Sequence, residues 1–196
     1  MRAQEEAPLV TPQAFAGIEW GSDEEYLSWF WGDLGELEYR RTNALIEDSS
    51  KFCLSVGYRA SYPFDDNTTV QILLEFFLVP GFGVVRGDLS VLEPNPELRT
   101  RRLQDFADAI TEHFGPPIRS CRDCQHDADL AMLWSSSGEL EDGTRVILEH
   151  KTTEPLVDSN GVIDPHNGLW IFAMGADYET ATRVGDQPRC DATEEQ

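Results

Sequence analysis

The chain has 196 residues and carries 36 Asp plus Glu against 15 Lys plus Arg, a formal charge of −21 at pH 7. That balance speaks against nucleic acid and anionic membrane surfaces as partners, because binding phosphate requires Lys and Arg to displace counterions. With 40% hydrophobic and 10% aromatic residues the chain can build a core, which excludes wholesale disorder, and it lacks the run of about 18 apolar residues that crosses a membrane.

Residues 1–21 mix Pro, Gly, Ala and acids without a sustained period and read as an N-terminal arm. No apolar segment of the kind that opens a secretory signal is present there, so a cytoplasmic protein is expected. Ser22-Asp23-Glu24-Glu25 forms a capping box that predicts a helix start. The helix carries Tyr26, Leu27, Trp29, Phe30 and Trp31 and weakens at Gly32 and Gly35, so it ends or breaks near Gly32. The period then changes to two. Phe52, Leu54, Val56, Tyr58 and Ala60 alternate with polar or small residues, which predicts a strand with one buried face. Asp65-Asp66-Asn67 supplies a turn. A second strand, predicted central, covers 69–79, and Pro80-Gly81-Phe82-Gly83 leads into a third from Val84 to Leu92.

Asn95-Pro96 opens the clearest helix, with Leu103, Phe106, Ala107, Ile110 and Phe114 at helical spacing and Gly115-Pro116-Pro117 as its end. A polar loop from Ile118 to Asp129 precedes two strands, Leu130 to Trp134 and Thr144 to Lys151, and a last strand runs from Leu169 to Met174. Runs of strands without strict βαβ alternation predict an α+β fold. The expected architecture is a single mostly antiparallel sheet of about six strands covered by one or two helices. It forms one domain over 22–175, followed by a flexible acidic tail over 176–196.

No motif names a reaction. Gly81-Phe82-Gly83-Val84-Val85-Arg86-Gly87 is followed by a strand, so no helix N-terminus would face a phosphate. There is no G-x-S-x-G, the four histidines are scattered, and the visible acid pairs are neighbours in turns that do not converge. The chain therefore reads as a protein without catalytic activity and with no cofactor. The four cysteines, Cys53, Cys121, Cys124 and Cys190, are too few for a disulfide framework at this length. Cys121 and Cys124 with His126 form half a zinc motif; a small zinc-dependent or redox protein centred there is the alternative, and a pair of reduced thiols or a local disulfide is the plainer account.

Charge and rings carry the remaining signal. Residues 19–38 hold seven acids, no base, and Trp20, Tyr26, Trp29, Phe30 and Trp31. A short helix has one inward stripe and cannot bury every ring beneath itself, so an exposed ring among carboxylates is expected, the composition of a contact surface for a basic protein. The expected partner-binding residues are Asp23, Glu24, Glu25, Tyr26, Trp29, Trp31 and Asp33, with the turn acids Asp65, Asp66, Glu141 and Asp142.

In residues 103–148 a helix ending Ala109-Ile110-Thr111-Glu112-His113-Phe114-Gly115-Pro116 leads to a strand bearing Trp134 and then to Asp142-Gly143-Thr144-Arg145-Val146-Ile147-Leu148. This arrangement resembles the small acidic immunity proteins that bacteria pair with polymorphic or type VI secretion toxins. The resemblance implies direct neutralisation of a cognate basic toxin or effector by binding. An effector chaperone or adaptor is the further alternative; it would bind its cargo and leave the toxic activity intact.

Overall fold

The computed structural model describes residues 8–45, 51–65, 68–91, 96–122, 130–139, 143–150 and 168–183. Its centre is built by period-two alternation. In β4 (Lys51–Asp65) Leu54, Val56, Tyr58 and Ala60 are buried on one side, and in β5 (Thr68–Val79) Val70, Ile72, Leu74 and Phe76 continue that layer. They are flanked by β3 (Glu36–Leu45) and β6 (Gly83–Val91). The helix α2 (Pro96–Phe114) then carries the chain to β7 (Arg119–Arg122), β8 (Leu130–Ser135), β9 (Arg145–His150) and β10 (Leu169–Met174).

The eight strands form one antiparallel sheet in the order β3-β4-β5-β6-β10-β9-β8-β7. Two four-stranded meanders thus run inward from opposite edges, each preceded by a helix, and their last strands zip together along Leu169↔Val91 to Met174↔Arg86. The α+β class is as expected, with more strands than expected. The additional strands β3 and β7 are the two edges. An edge strand has one neighbour and little need for a clean apolar face. β3 also carries an irregularity between Leu37 and Tyr39 that breaks its period, and β7 is exposed throughout.

One face of the sheet holds the main core, packed by Leu27 and Trp31 of α1 (Glu24–Trp31) and by Phe106, Ala107 and Ile110 of α2. The opposite face has a smaller cluster, in which Tyr178 and Ala181 of α3 (Tyr178–Arg183) cover Phe77, Val79 and Val85. The segment from 176 therefore does not begin as a loose tail, because α3 is seated on the sheet; residues 184–196 lie outside the described residues.

The N-terminal arm is also part of the body from residue 8 onward. A two-stranded hairpin, β1 (Ala14–Phe15) and β2 (Ile18–Glu19), delivers Phe15 and Ile18 into the core with Leu9 and Val10. Gly87 lacks a side chain where the Phe15 ring lies, so a methyl there would collide with the ring. Backbone bonds Gly21 N–H to Val84 O (2.9 Å) and Val84 N–H to Ser22 O (2.8 Å) fasten the arm to β6. The Thr144 hydroxyl donates to Pro12 O at 2.6 Å. Among the described residues no helix is long and apolar enough to cross a membrane.

Candidate functional site: the outer face of the first helix

α1 starts one residue later than the capping box suggests. Asp23, with extended φ −82° and ψ 174°, is the N-cap, and its side chain accepts from the Tyr26 N–H at 2.8 Å. Ser22 is instead drawn into the backbone pairing with β6. The helix ends at Gly32, whose N–H donates to Ser28 O at 2.8 Å. Eight residues give two inward positions, Leu27 and Trp31. Tyr26 and Trp29 fall outside that stripe and are 40% and 56% exposed.

The rings form a graded series from solvent to core. Trp29 lies 5.6 Å from Tyr26, Tyr26 lies 6.3 Å from Phe30, and Phe30 lies 5.9 Å from Trp31. Trp31 in turn lies 6.3 Å from Tyr58. Trp31, expected among the contact residues, is only 5% exposed and acts as the inner support of the series, because its position one turn after Leu27 points it at the sheet. Its indole N–H is buried without a hydrogen-bond partner among the described residues.

The acids also separate into different roles. Glu24 is taken by a forked pair with Arg40 of β3, at 2.6 and 3.0 Å, and this contact holds Arg40 above its ordinary pKa. The lack of bases in residues 19–38 thus concealed a neutralising residue just beyond that window. Asp23 serves the cap, whereas Glu25 and Asp33 are exposed. Leu37, at the start of β3, adds an exposed apolar side chain to this end of the molecule. Asp65 falls at the end of β4; Asp66, Glu141 and Asp142 lie outside the described residues. Cys121 lies on β7 and is disulfide-bonded. A sulfur in a disulfide offers a metal no thiolate; Cys124 and His126 lie outside the described residues.

A second constellation, which the sequence reading did not find, sits on the other face of the sheet. Glu75 of β5 and Asp88 of β6 are direct cross-strand partners. The Ser55 hydroxyl donates to Glu75 Oε1 at 2.6 Å, and Tyr39 is hydrogen-bonded to Glu75. Gly57 makes room for the Tyr39 ring, which a methyl there would approach to 2.6 Å. Arg86 grips Asp88 with two bonds of 2.7 Å and also reaches Tyr178 of α3. Burial pushes the Asp88 carboxyl from its usual 3.8 up to about 6, with Arg86 opposing and Glu75 adding to the rise. Burial and the adjacent Glu75 hold the Tyr39 hydroxyl far above its usual range. For Arg86, burial acts to lower the pKa, and Asp88 and Tyr178 outweigh it.

A buried carboxyl with a raised pKa, such as Asp88 beside Glu75, is the raw material of acid–base chemistry. Here the Asp88 carboxylate is gripped by Arg86, and Glu75 accepts from Ser55 and Tyr39, so the network ties β3, β4, β5, β6 and α3 together. A lone acid inside Leu73-Leu74-Glu75-Phe76-Phe77 was the signal in the sequence: burying it requires partners on neighbouring strands. No protein-family model, no curated protein and no solved structure matches the chain.

Proposed function

We propose that this is a non-enzymatic acidic binding protein, an immunity protein that neutralises a cognate basic toxin or effector in the cytoplasm by direct one-to-one binding. The observation that supports the reading is the exposed Tyr26–Trp29 pair with the exposed carboxylates of Glu25 and Asp33 on a chain of net charge −21. Large rings provide apolar area that association can remove from water, and surrounding acids raise the rate of encounter with a cationic surface. Glu25 on α1 and Asp33 just beyond its end are the contact acids, with Asp66, Glu141 and Asp142 as further contributors. Binding of this kind masks a partner's active site and needs neither cofactor nor chemistry from the acidic protein.

The test is capture of the partner from the native cell, followed by assay of its toxic activity with and without the purified chain. Loss of toxicity at one-to-one stoichiometry, with an affinity that falls as salt rises, is the expected result. Salt-indifferent binding, or a captured partner that stays fully toxic in the complex, contradicts the immunity reading; the latter outcome is that of a chaperone.

A further inference from the structure

The six-residue helix α3 is seated on the sheet through a tyrosine that two arginines touch. Arg86 of β6 is hydrogen-bonded to Tyr178. Arg145 of β9 lies 5.9 Å from the centre of the Tyr178 ring and donates to Glu179 at 2.7 Å. Arg86 is the joint between helix and sheet. Its guanidinium lies 5.1 Å from the Phe77 ring and 5.6 Å from that of Phe172, and it forks onto Asp88 with two bonds of 2.7 Å. The Arg86 and Asp88 side chains are each only 14% exposed.

The charges at this joint do not balance. Asp88 faces Glu75 directly across the β5–β6 pairing, and its partner on β10 is the uncharged Phe172. Glu75 is met by neutral groups, the Ser55 hydroxyl of β4 and the Tyr39 hydroxyl of β3. Arg41 of β3 lies over the Tyr39 ring at 4.2 Å, and Arg145 is paired with Glu179. Asp88 and Glu75 therefore sit side by side with one forked guanidinium between them and the helix. Like charges in a buried site favour uptake of a proton, and the raised Asp88 carboxyl agrees with that geometry.

We propose that the Tyr178–Arg86–Asp88 chain of contacts is a proton-controlled clasp, which holds α3 closed on the sheet while Asp88 is protonated and loosens it when Asp88 ionises. Tyr178 keeps Arg86 in place over Phe77, Phe172 and Asp88. Lifting α3 frees the guanidinium and lets water reach the carboxylate, so the open form is the one that accepts a negative charge at Asp88. Closure is thus favoured below pH 6 and weakens as pH rises through about 6. The clasp lies on the face of the sheet away from α1, and it stands or falls separately from the contact surface proposed there.

The experiment is amide hydrogen exchange on the full-length chain from pH 5 to pH 8, each rate taken relative to an unstructured peptide at the same pH. The probe is the Ala181 N–H, which donates to Asp177 O at 2.8 Å within α3; the Ile110 N–H of α2, in the main core, is the reference. Protection at Ala181 is expected to fall by up to about tenfold across that range, the ratio that follows when a carboxyl moves between about 6 and its usual 3.8. Ile110 is expected to change less. Asp88→Asn cannot ionise and should make Ala181 protection independent of pH. Glu75→Gln removes the neighbouring negative charge and should move the midpoint of the change to lower pH. Protection at Ala181 that stays constant in the original chain, or a fall of equal size at Ile110, overturns the clasp. So does an Asp88→Asn variant, shown to be folded by its melting transition, in which α3 still loosens with pH. If Asp88→Asn does not fold, Glu75→Gln decides, and an unmoved midpoint overturns the proposal.

Discussion

Residues 14–20 and residues 26–31 are both short and ring-bearing, and their rings meet opposite environments. In the first segment Phe15 is sealed, stacked with Trp20 at 6.3 Å and set edge-on against Phe76 at 5.7 Å. In the second, Trp29 is more than half exposed. The difference is made by what lies across from each ring. β6 offers Phe15 a recess at Gly87, whereas α1 spends its two inward positions on Leu27 and Trp31 and turns Tyr26 and Trp29 outward. The number of aromatics in a segment therefore does not separate core from contact surface; the shape of the opposing element does.

The largest expected effect breaks the sealed side of this comparison. Phe15→Ala should destabilise the protein by about 4 kcal/mol, the cost of removing a fully buried ring from a packed core, read as a shift in the urea midpoint. Partner affinity of the fraction that stays folded should be unchanged. If the segment were a loosely attached arm, the midpoint would hardly move.

Next is the proton-linked contribution of Asp88 on the far face of the sheet. Its carboxyl is raised from 3.8 to about 6 in the folded chain, so the folded state binds a proton that the unfolded state does not. The resulting stabilisation is fully present below the ordinary value and is lost as pH rises through about 6. Comparing the original with Asp88→Asn isolates this group from the general relief of negative charge on acidification. The difference between their stability curves should slope by up to about 1.4 kcal/mol per pH unit in that window. Parallel curves would show that Asp88 titrates normally.

On the open side the expected change is in binding with no loss of fold. Tyr26→Ala with Trp29→Ala should leave the unfolding free energy within about 0.5 kcal/mol and weaken the partner at least about tenfold. Smaller still is the effect of Glu25→Gln with Asp33→Asn, expected to slow association a few-fold at low salt and to flatten its salt dependence, with little change in dissociation. Stopped-flow mixing separates the two rates.

The strands with two neighbours were legible because burial on one face enforces alternation; β10 has the bounds expected for it, Leu169–Met174. α2 was legible from its Pro start and the spacing of Phe106, Ile110 and Phe114. The edges β3 and β7 were not, since a strand paired on one side has little need for a clean apolar face. The arm's share in the core was not legible, because Phe15 and Ile18 reach it from a hairpin of two-residue strands, too short to show a period. At the candidate site, the exposure of a ring on α1 followed from geometry alone, but which ring did not. Trp31 and Trp29 differ by two positions on a helix, and only the direction of the sheet decides between them. Glu24 depends on Arg40, 16 residues away on β3, and Asp88 faces Glu75 only through the β5–β6 register; local sequence encodes neither placement.

The central claim is that the outer face of α1 grips a cationic protein while the rings of the arm only hold the fold. The most direct test is the affinity of the captured partner for the original chain and for the Tyr26→Ala, Trp29→Ala double variant, at low salt and again with charges screened to a Debye length of about 4 Å. The account predicts tight, salt-sensitive binding to the original and a loss of at least about tenfold in the variant, with an unchanged melting transition. Full affinity in the folded double variant would contradict it.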